Sequence, residues 1–267
     1  MHVPPRFPGG HPAGLLLVLH GGGGSGAQIE RHTGFSALAD REGFVAVYPD
    51  ALDRNWNDGR AVAAIPAQQA NVDDVGFLSA LLGGLIREFA VDPRRVYVAG
   101  ASNGAFMSQR LAAEVSDKVA AIAPVIGGMA LPVRDRFAPR MPVSVLLING
   151  TDDPLVPYRG GPVARTRGET IGAPEIITLW TTHNKCSGDP ETVLLADTDP
   201  TDGTRVRRTT YARCAGGSVV TLYTIDGGGH TWPGGVQYLP RAVIGRTSRD
   251  IEATPLIWQF FAAHPRR

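Results

Sequence analysis

The sequence predicts an α/β fold, a mostly parallel central sheet with helices on both faces. Three observations carry that expectation. Continuous apolar runs recur at residues 15–19, 44–48, 96–99, 119–125 and 143–148; each is too short for a core helix and reads as a strand buried on both faces. Between them lie stretches with apolar residues at helical spacing, and this alternation calls for a parallel sheet with right-handed crossovers. Finally, Gly100-Ala101-Ser102-Asn103-Gly104 turns one apolar run directly into a helical one, a turn so tight that only small neighbours are tolerated. In sheets of this kind function gathers at the carboxyl ends of the strands. The 267 residues suit one large domain of this class.

In chain order, residues 15–19 form the first strand, followed by His20-Gly21-Gly22-Gly23-Gly24-Ser25-Gly26. Such a loop can cradle a phosphate, but no Gly-Lys-Ser/Thr follows. The preferred reading is a backbone N–H site for an oxyanion. Phe35–Glu42 reads as a helix and residues 44–49 as the next strand, stopped by Pro49. The polar loop 50–66 carries Trp56, which either lines a substrate cleft or packs on the body. Asp73 and Asp74 precede a helix over 75–89 with Phe77, Leu78, Leu81, Leu82 and Leu85 on one side; they read as N-terminal capping charges. After the strand 96–99 and the tight turn comes a helix over 106–114. Strands at 119–125 and 143–148 lead to the acidic loop Asn149-Gly150-Thr151-Asp152-Asp153-Pro154. A helix is expected over 174–184, strands over 206–211 and 219–225, and a closing helix over 255–263. The loop 197–203 holds Asp197, Asp199 and Asp202 but Thr201 breaks calcium-loop spacing, so it reads as a solvated turn.

Charge and composition narrow the classes. The net charge is +1, which implies no polyanion partner and argues against nucleic acid. No apolar run approaches the roughly 20 residues of a membrane span, and no His/Cys/Asp/Glu set suggests a metal. The first residues lack the basic start and apolar core of a signal peptide and read as a chain entered in mid-strand. The expectation is a single domain, residues 1–267, taken from a longer or secreted precursor and working outside the cell. Cys186 and Cys214 are either two buried thiols or a disulfide, which would fit export. A bridge of that span contributes about 3–4 kcal/mol.

Serine chemistry needs a base for the hydroxyl proton and a carboxylate to orient the base. Ser102, then Asp152 or Asp153, then His230 follow in the order used by α/β-hydrolases, each in a loop after an expected strand. Of the seven histidines, only His230 combines such a position with glycine flanks; His20 is expected to support the glycine-rich loop. Trp232 follows His230 in a loop stiffened by Pro233, and either walls the substrate or packs the loop. The helix after Ser102 aims its N-terminal N–H groups and dipole at the place where an oxyanion would form.

Together, Leu19-His20-Gly21-Gly22-Gly23-Gly24-Ser25, Val72-Asp73-Asp74-Val75-Gly76-Phe77, Gly100-Ala101-Ser102-Asn103-Gly104-Ala105, Gly150-Thr151-Asp152-Asp153-Pro154 with Val156-Pro157-Tyr158, and Gly229-His230-Thr231-Trp232-Pro233-Gly234 resemble the polyhydroxybutyrate depolymerase-like esterase family, whose relatives include feruloyl and acetylxylan esterases. The resemblance spans nearly the whole chain. It implies an α/β-hydrolase fold without a large lid and a cofactor-independent serine esterase acting on a small-molecule or polymer-borne ester. It places the catalytic acid at Asp153, the oxyanion donors at the backbone of Gly22 and Asn103, and a disulfide at Cys186 and Cys214. Two positions depart from the pattern: Gly22 stands where many members have cysteine, and Asn149 where many have histidine. The rival readings are a peptidase on the same fold, which usually needs an additional domain, and a non-catalytic binding domain, which should lack a triad residue.

Overall fold

The computed structural model describes residues 1–5 and 13–267. The strands are β1 (Gly14–Leu19), β2 (Phe44–Val47), β3 (Val96–Ala101), β4 (Ala121–Val125), β5 (Met129–Ala130), β6 (Ser144–Gly150), β7 (Gly160–Pro162), β8 (Glu169–Ile171), β9 (Glu191–Leu194), β10 (Arg205–Tyr211) and β11 (Val220–Asp226). The α-helices are α1 (Gly26–Thr33), α2 (Phe35–Glu42), α3 (Pro66–Gln69), α4 (Asp74–Glu88), α5 (Asn103–Glu114), α6 (Leu131–Asp135), α7 (Ala173–His183), α8 (Arg241–Ile244) and α9 (Ala253–Ala263). An eight-stranded sheet runs in the order β2-β1-β3-β4-β6-β11-β10-β9. The six strands from β2 to β11 pair in parallel, while β10 and β9 add antiparallel at one edge. This is the mostly parallel sheet expected.

Side-chain alternation explains why the strands read as unbroken apolar runs. Leu15, Leu17 and Leu19 enter one core with Leu78 and Leu82 of α4, Met107 and Leu111 of α5 and Trp180 of α7. Leu16 and Val18 enter a second core with Ile29 of α1, Phe35 and Leu38 of α2 and Trp258 and Phe261 of α9. The sheet is therefore apolar on both faces. Aromatic stacking closes the second core: Phe44 lies 3.7 Å from Trp258 and Tyr97 4.8 Å from Phe261, centroid to centroid.

Several local expectations change. Helix α1 has little apolar periodicity, yet forms because Ser25 accepts from Gln28 N–H at its start and Gly26 lies against Tyr48 O, where a β-carbon would be only 2.0 Å away. Asp73 caps α4 by accepting from Gly76 N–H. Asp74 is not a simple capping charge: it is buried and accepts from Asn57 N–H (2.6 Å). The loop 197–203 is a turn at Asp199 and Thr201, but Asp202 is buried rather than solvated, accepting from Thr204 N–H and Arg249 N–H. It ties the edge of the sheet to the segment beyond α8. A three-stranded sheet, β5-β8-β7, carries the turn 163–168, a small cover rather than a large lid. Cys186 and Cys214 form a disulfide that closes the excursion holding β9 and β10.

Candidate active site

Ser102 sits between β3 and α5 with φ 54° and ψ −118°, a backbone strained for a residue with a side chain. The glycines around it are there for space. A β-carbon on Gly100 would lie 2.2 Å from Gly104 O, and one on Gly104 2.2 Å from Leu19 O. The strained turn thus depends on β3, α5 and the end of β1 crossing at contact distance. Ser102 N–H donates to Val125 O (3.0 Å), and Ser102 O accepts from Ala105 and Phe106 N–H.

His230 follows β11, and its glycine flanks also have a steric cause. Residues 244–246 run alongside, with Gly229 N–H on Arg246 O and His230 N–H on Ile244 O; a β-carbon on Gly229 would stand 2.2 Å from Ile244 O. His230 Nε2 is 2.9 Å from Ser102 Oγ, and Nδ1 is 2.7 Å from Asp153 Oδ2. The other carboxylate oxygen of Asp153 accepts from Leu155 and Val156 N–H, each 2.8 Å. With Asp153 accepting at Nδ1, that nitrogen carries the proton and Nε2 is the acceptor aimed at the serine. Asp152, the other carboxylate of the loop, bonds Thr151 Oγ1 near the surface and does not reach His230.

The glycine-rich loop passes beside Ser102; a β-carbon on Gly21 would lie 3.4 Å from Ser102 Cβ. His20 Nε2 accepts from Ala51 N–H (3.1 Å), which leaves its proton on Nδ1 to donate to Gly21 O (2.8 Å). One accepting and one donating ring nitrogen describe a neutral imidazole, and burial, the largest cause, lowers its pKa in the same direction. Gly21 O also accepts from Gly24 N–H. In a planar trans peptide the N–H points opposite to the C=O, so two donors on Gly21 O turn Gly22 N–H the other way. Ser102 O is held by the helix in the same fashion, and Asn103 N–H turns away from it. Gly22 and Asn103 both line the cavity over Ser102.

Trp56 is a correction. It is fully buried and does not line the cavity. Its indole N–H donates to His20 O (3.0 Å), and its backbone N–H and C=O pair with the Asn103 side chain. The polar loop around it turns inward because its polar groups are matched there. Trp232 contributes to the cavity wall, yet it too is almost wholly buried, with Nε1 donating to Thr254 Oγ1 (3.1 Å) and its ring edge-on to Phe35. These contacts pack the His230 loop against α2 and α9.

Sequence reasoning missed Asp58. Its carboxylate is buried and accepts from Asn103 Nδ2 (2.6 Å), Gln68 Nε2 (2.9 Å) and Arg60 Nη2 (2.7 Å). Nothing in a polar Asn-Trp-Asn-Asp-Gly loop marks one aspartate as buried. It is the contact with Asn103, 45 residues away, that does so. The cavity has a volume of about 540 Å³. Ile29, Ile65, Leu155 and Val156 supply apolar wall, and Tyr238 and Leu239 are exposed at its rim. Among the described residues no group of three or more His, Cys, Asp or Glu side chains could hold a metal ion, and no helix is long and apolar enough to cross a membrane.

Comparison with known proteins follows the same line. Residues 5–132 match the family described as Esterase PHB depolymerase. A protein of Nocardia uniformis subsp. tsuyamanensis named as an esterase, NocK, is 36% identical over 256 residues, 92% of this chain and 73% of that protein. Feruloyl esterase B of Piromyces equi is 30% identical over 236 residues, 85% of this chain but only 41% of its own length. The solved acetyl xylan esterase from Aspergillus awamori superposes with a TM-score of 0.63, covering 98% of this chain and 92% of that one. Its 14% identity makes this a likeness of fold alone. With that fold, and with a relative this similar along most of both chains, the chain belongs to the PHB depolymerase-type esterase family and is a serine carboxylic ester hydrolase of the α/β-hydrolase fold.

Proposed function

We propose that Ser102 is the nucleophile, His230 its base and Asp153 the carboxylate that orients the base, with Gly22 and Asn103 N–H groups receiving the oxyanion. The observation that carries this is the unbroken chain from Asp153 Oδ2 through His230 to Ser102 Oγ, at 2.7 and 2.9 Å. Ser102 Oγ attacks the ester carbonyl while His230 Nε2 takes its proton and passes it to the departing alkoxide. Water then enters by the same route, giving up a proton to His230 and releasing the acid from Ser102. Each oxyanion donor is worth about 3 kcal/mol in such sites. Ser102→Ala and His230→Ala should each lower kcat by more than about a thousandfold. Retention of turnover in Ser102→Ala would overturn the assignment.

The substrates we assign are short-chain acyl, hydroxycinnamoyl or polyester-type esters. The family carries the name of a polyester depolymerase and one relative that of a feruloyl esterase. A cavity of about 540 Å³ under a small cover suits a short acyl group or a pendant ester. A long lipid chain would need an apolar tunnel. A series of nitrophenyl esters from acetyl to palmitoyl tests this; a maximum at palmitoyl would sink it. Trp232→Ala should shift that profile if the indole touches the acyl group, and change only stability if it merely packs. Work outside the cell is also proposed, supported by the Cys186–Cys214 disulfide, since such bonds persist in oxidising surroundings.

A further inference from the structure

Arg167 is left unused by the chemistry above, yet it stands inside the cavity. It lies in the turn between β7 and β8, where the backbone is pinned. Arg167 N–H donates to Val163 O (2.8 Å), Val163 N–H to Gly168 O (2.8 Å), and Arg167 O accepts from Arg60 Nη1 (2.8 Å). The side chain reaches from this turn to the glycine-rich loop. A β-carbon on Gly22 would lie 3.9 Å from Arg167 Nη1 and 3.7 Å from Asn103 Cβ. The guanidinium therefore stands beside Gly22, one of the two residues assigned to the oxyanion.

Among the described residues two guanidinium groups, of Arg60 and Arg167, line this cavity, and they differ. The Arg60 side chain is buried, its Nη2 on Asp58 at 2.7 Å, and its plane lies over the Phe106 ring at 4.4 Å; its charge is already matched. Arg167 is exposed and forms no ion pair with another of the described residues. Among the described residues no aspartate or glutamate lines the cavity. His20 and His32, also in the wall, are both disfavoured as cations by burial. Among the described residues that line the cavity, Arg167 thus presents a positive charge without an ion-pair partner, beside Gly22. A guanidinium offers paired donors in a rigid fork that fits a carboxylate.

We propose that Arg167 selects esters bearing a free carboxylate on the part of the substrate that lies against the glycine-rich loop, so that the preferred substrate is an anionic ester. This rests on the assignment of Ser102, His230 and the oxyanion donors. The carboxylate could belong to the acyl group, as in the half-ester of a dicarboxylic acid, or to the alcohol, as in an acylated hydroxy acid.

Two substrate pairs separate these sources. Mono-4-nitrophenyl adipate is compared with 4-nitrophenyl hexanoate for the acyl side, and 4-acetoxybenzoate with 4-acetoxybenzamide for the alcohol side. The wild-type enzyme should favour the anionic member of one pair by roughly tenfold in kcat/KM, mainly through KM, as expected for one charge-assisted contact. The preference should shrink as salt is raised. It should collapse towards one in Arg167→Gln and persist in part in Arg167→Lys. A wild-type ratio near one in both pairs would overturn the proposal, as would a preference that Arg167→Gln leaves intact. Equal losses on anionic and neutral esters would also overturn it, since Arg167 would then act on the oxyanion instead. Hydrolysis of the neutral esters, and its loss in Ser102→Ala, reads the catalytic assignment separately from these ratios.

Discussion

Asp152 and Asp153 are adjacent carboxylates in one loop, and their surroundings divide them. Asp153 is buried, bonded to His230 Nδ1 and to two backbone N–H groups, whereas the exposed Asp152 carboxylate accepts from the neighbouring Thr151 hydroxyl. Asp153→Asn should lower kcat by about 10⁴, the scale seen when a triad carboxylate is neutralised, and Asp152→Asn by less than about threefold. Steady-state kinetics on one nitrophenyl ester decide it; a deadlier Asp152→Asn would reverse the assignment. Asp58 is the second residue with a measurable role. Removing it leaves Arg60 buried without its partner and takes away one of the acceptors of the Asn103 amide, leaving the Trp56 carbonyl. Breaking a buried pair in this way costs about 3–5 kcal/mol. Asp58→Ala should show that loss in denaturant unfolding, together with a lower kcat, because Asn103 opens the helix beside Ser102. A variant as stable and active as wild type would refute both roles.

At the scale of elements, β1, β3 and β11 deliver the glycine-rich loop, Ser102 and His230 to one end of the sheet, and β6 delivers Asp153. Parallel pairing makes this possible, for all four strands end on the same side. Strands β1 to β4, β6, β10 and β11 and helices α2, α4, α5, α7 and α9 were legible because apolar runs and helical spacing are local properties. Helix α1 and strand β9 were not. The first depends on Tyr48 closing over Gly26. The second is an exposed edge strand with little apolar content, made a strand only by pairing with β10. The disulfide closes that hairpin region, so changing Cys186 and Cys214 together to serine should cost about 3–4 kcal/mol by the loop-entropy relation. Melting temperature should fall accordingly. Two titratable thiols in the native, unreduced protein would show that the bridge does not form.

The whole molecule responds to pH through histidines held neutral by burial. His20, His32 and His264 all have pKa values below the ordinary 6.5, with desolvation the largest cause in each. The unfolded chain therefore binds protons that the native state resists. Stability is at its plateau above pH 6.5 in this respect and declines as pH falls below it, towards the lowered native values. A melting series from pH 8 to pH 5 should show that decline, with a smaller slope in His264→Gln. His264 lies at the end of α9, apart from the cavity, so this variant separates protonation from catalysis. A flat series would argue that these side chains become solvated without unfolding.

The sequence alone determined the fold class, the serine on its strained turn and the order serine, aspartate, histidine. Each is written in short local patterns: continuous apolar runs of strand length, the small side chains that a tight turn requires, and polar residues in the loops that follow strands. It also pointed to Gly22 and Asn103, through their resemblance to a known pattern. Only the tertiary structure set Asp153 against His230, sent Trp56 inward, buried Asp58 under Asn103 and brought Arg167 to the glycine-rich loop. In each of these the partner lies tens of residues away or more, and the outcome depends on which loop packs on which. A polar loop looks the same in sequence whether its side chains meet water or one another.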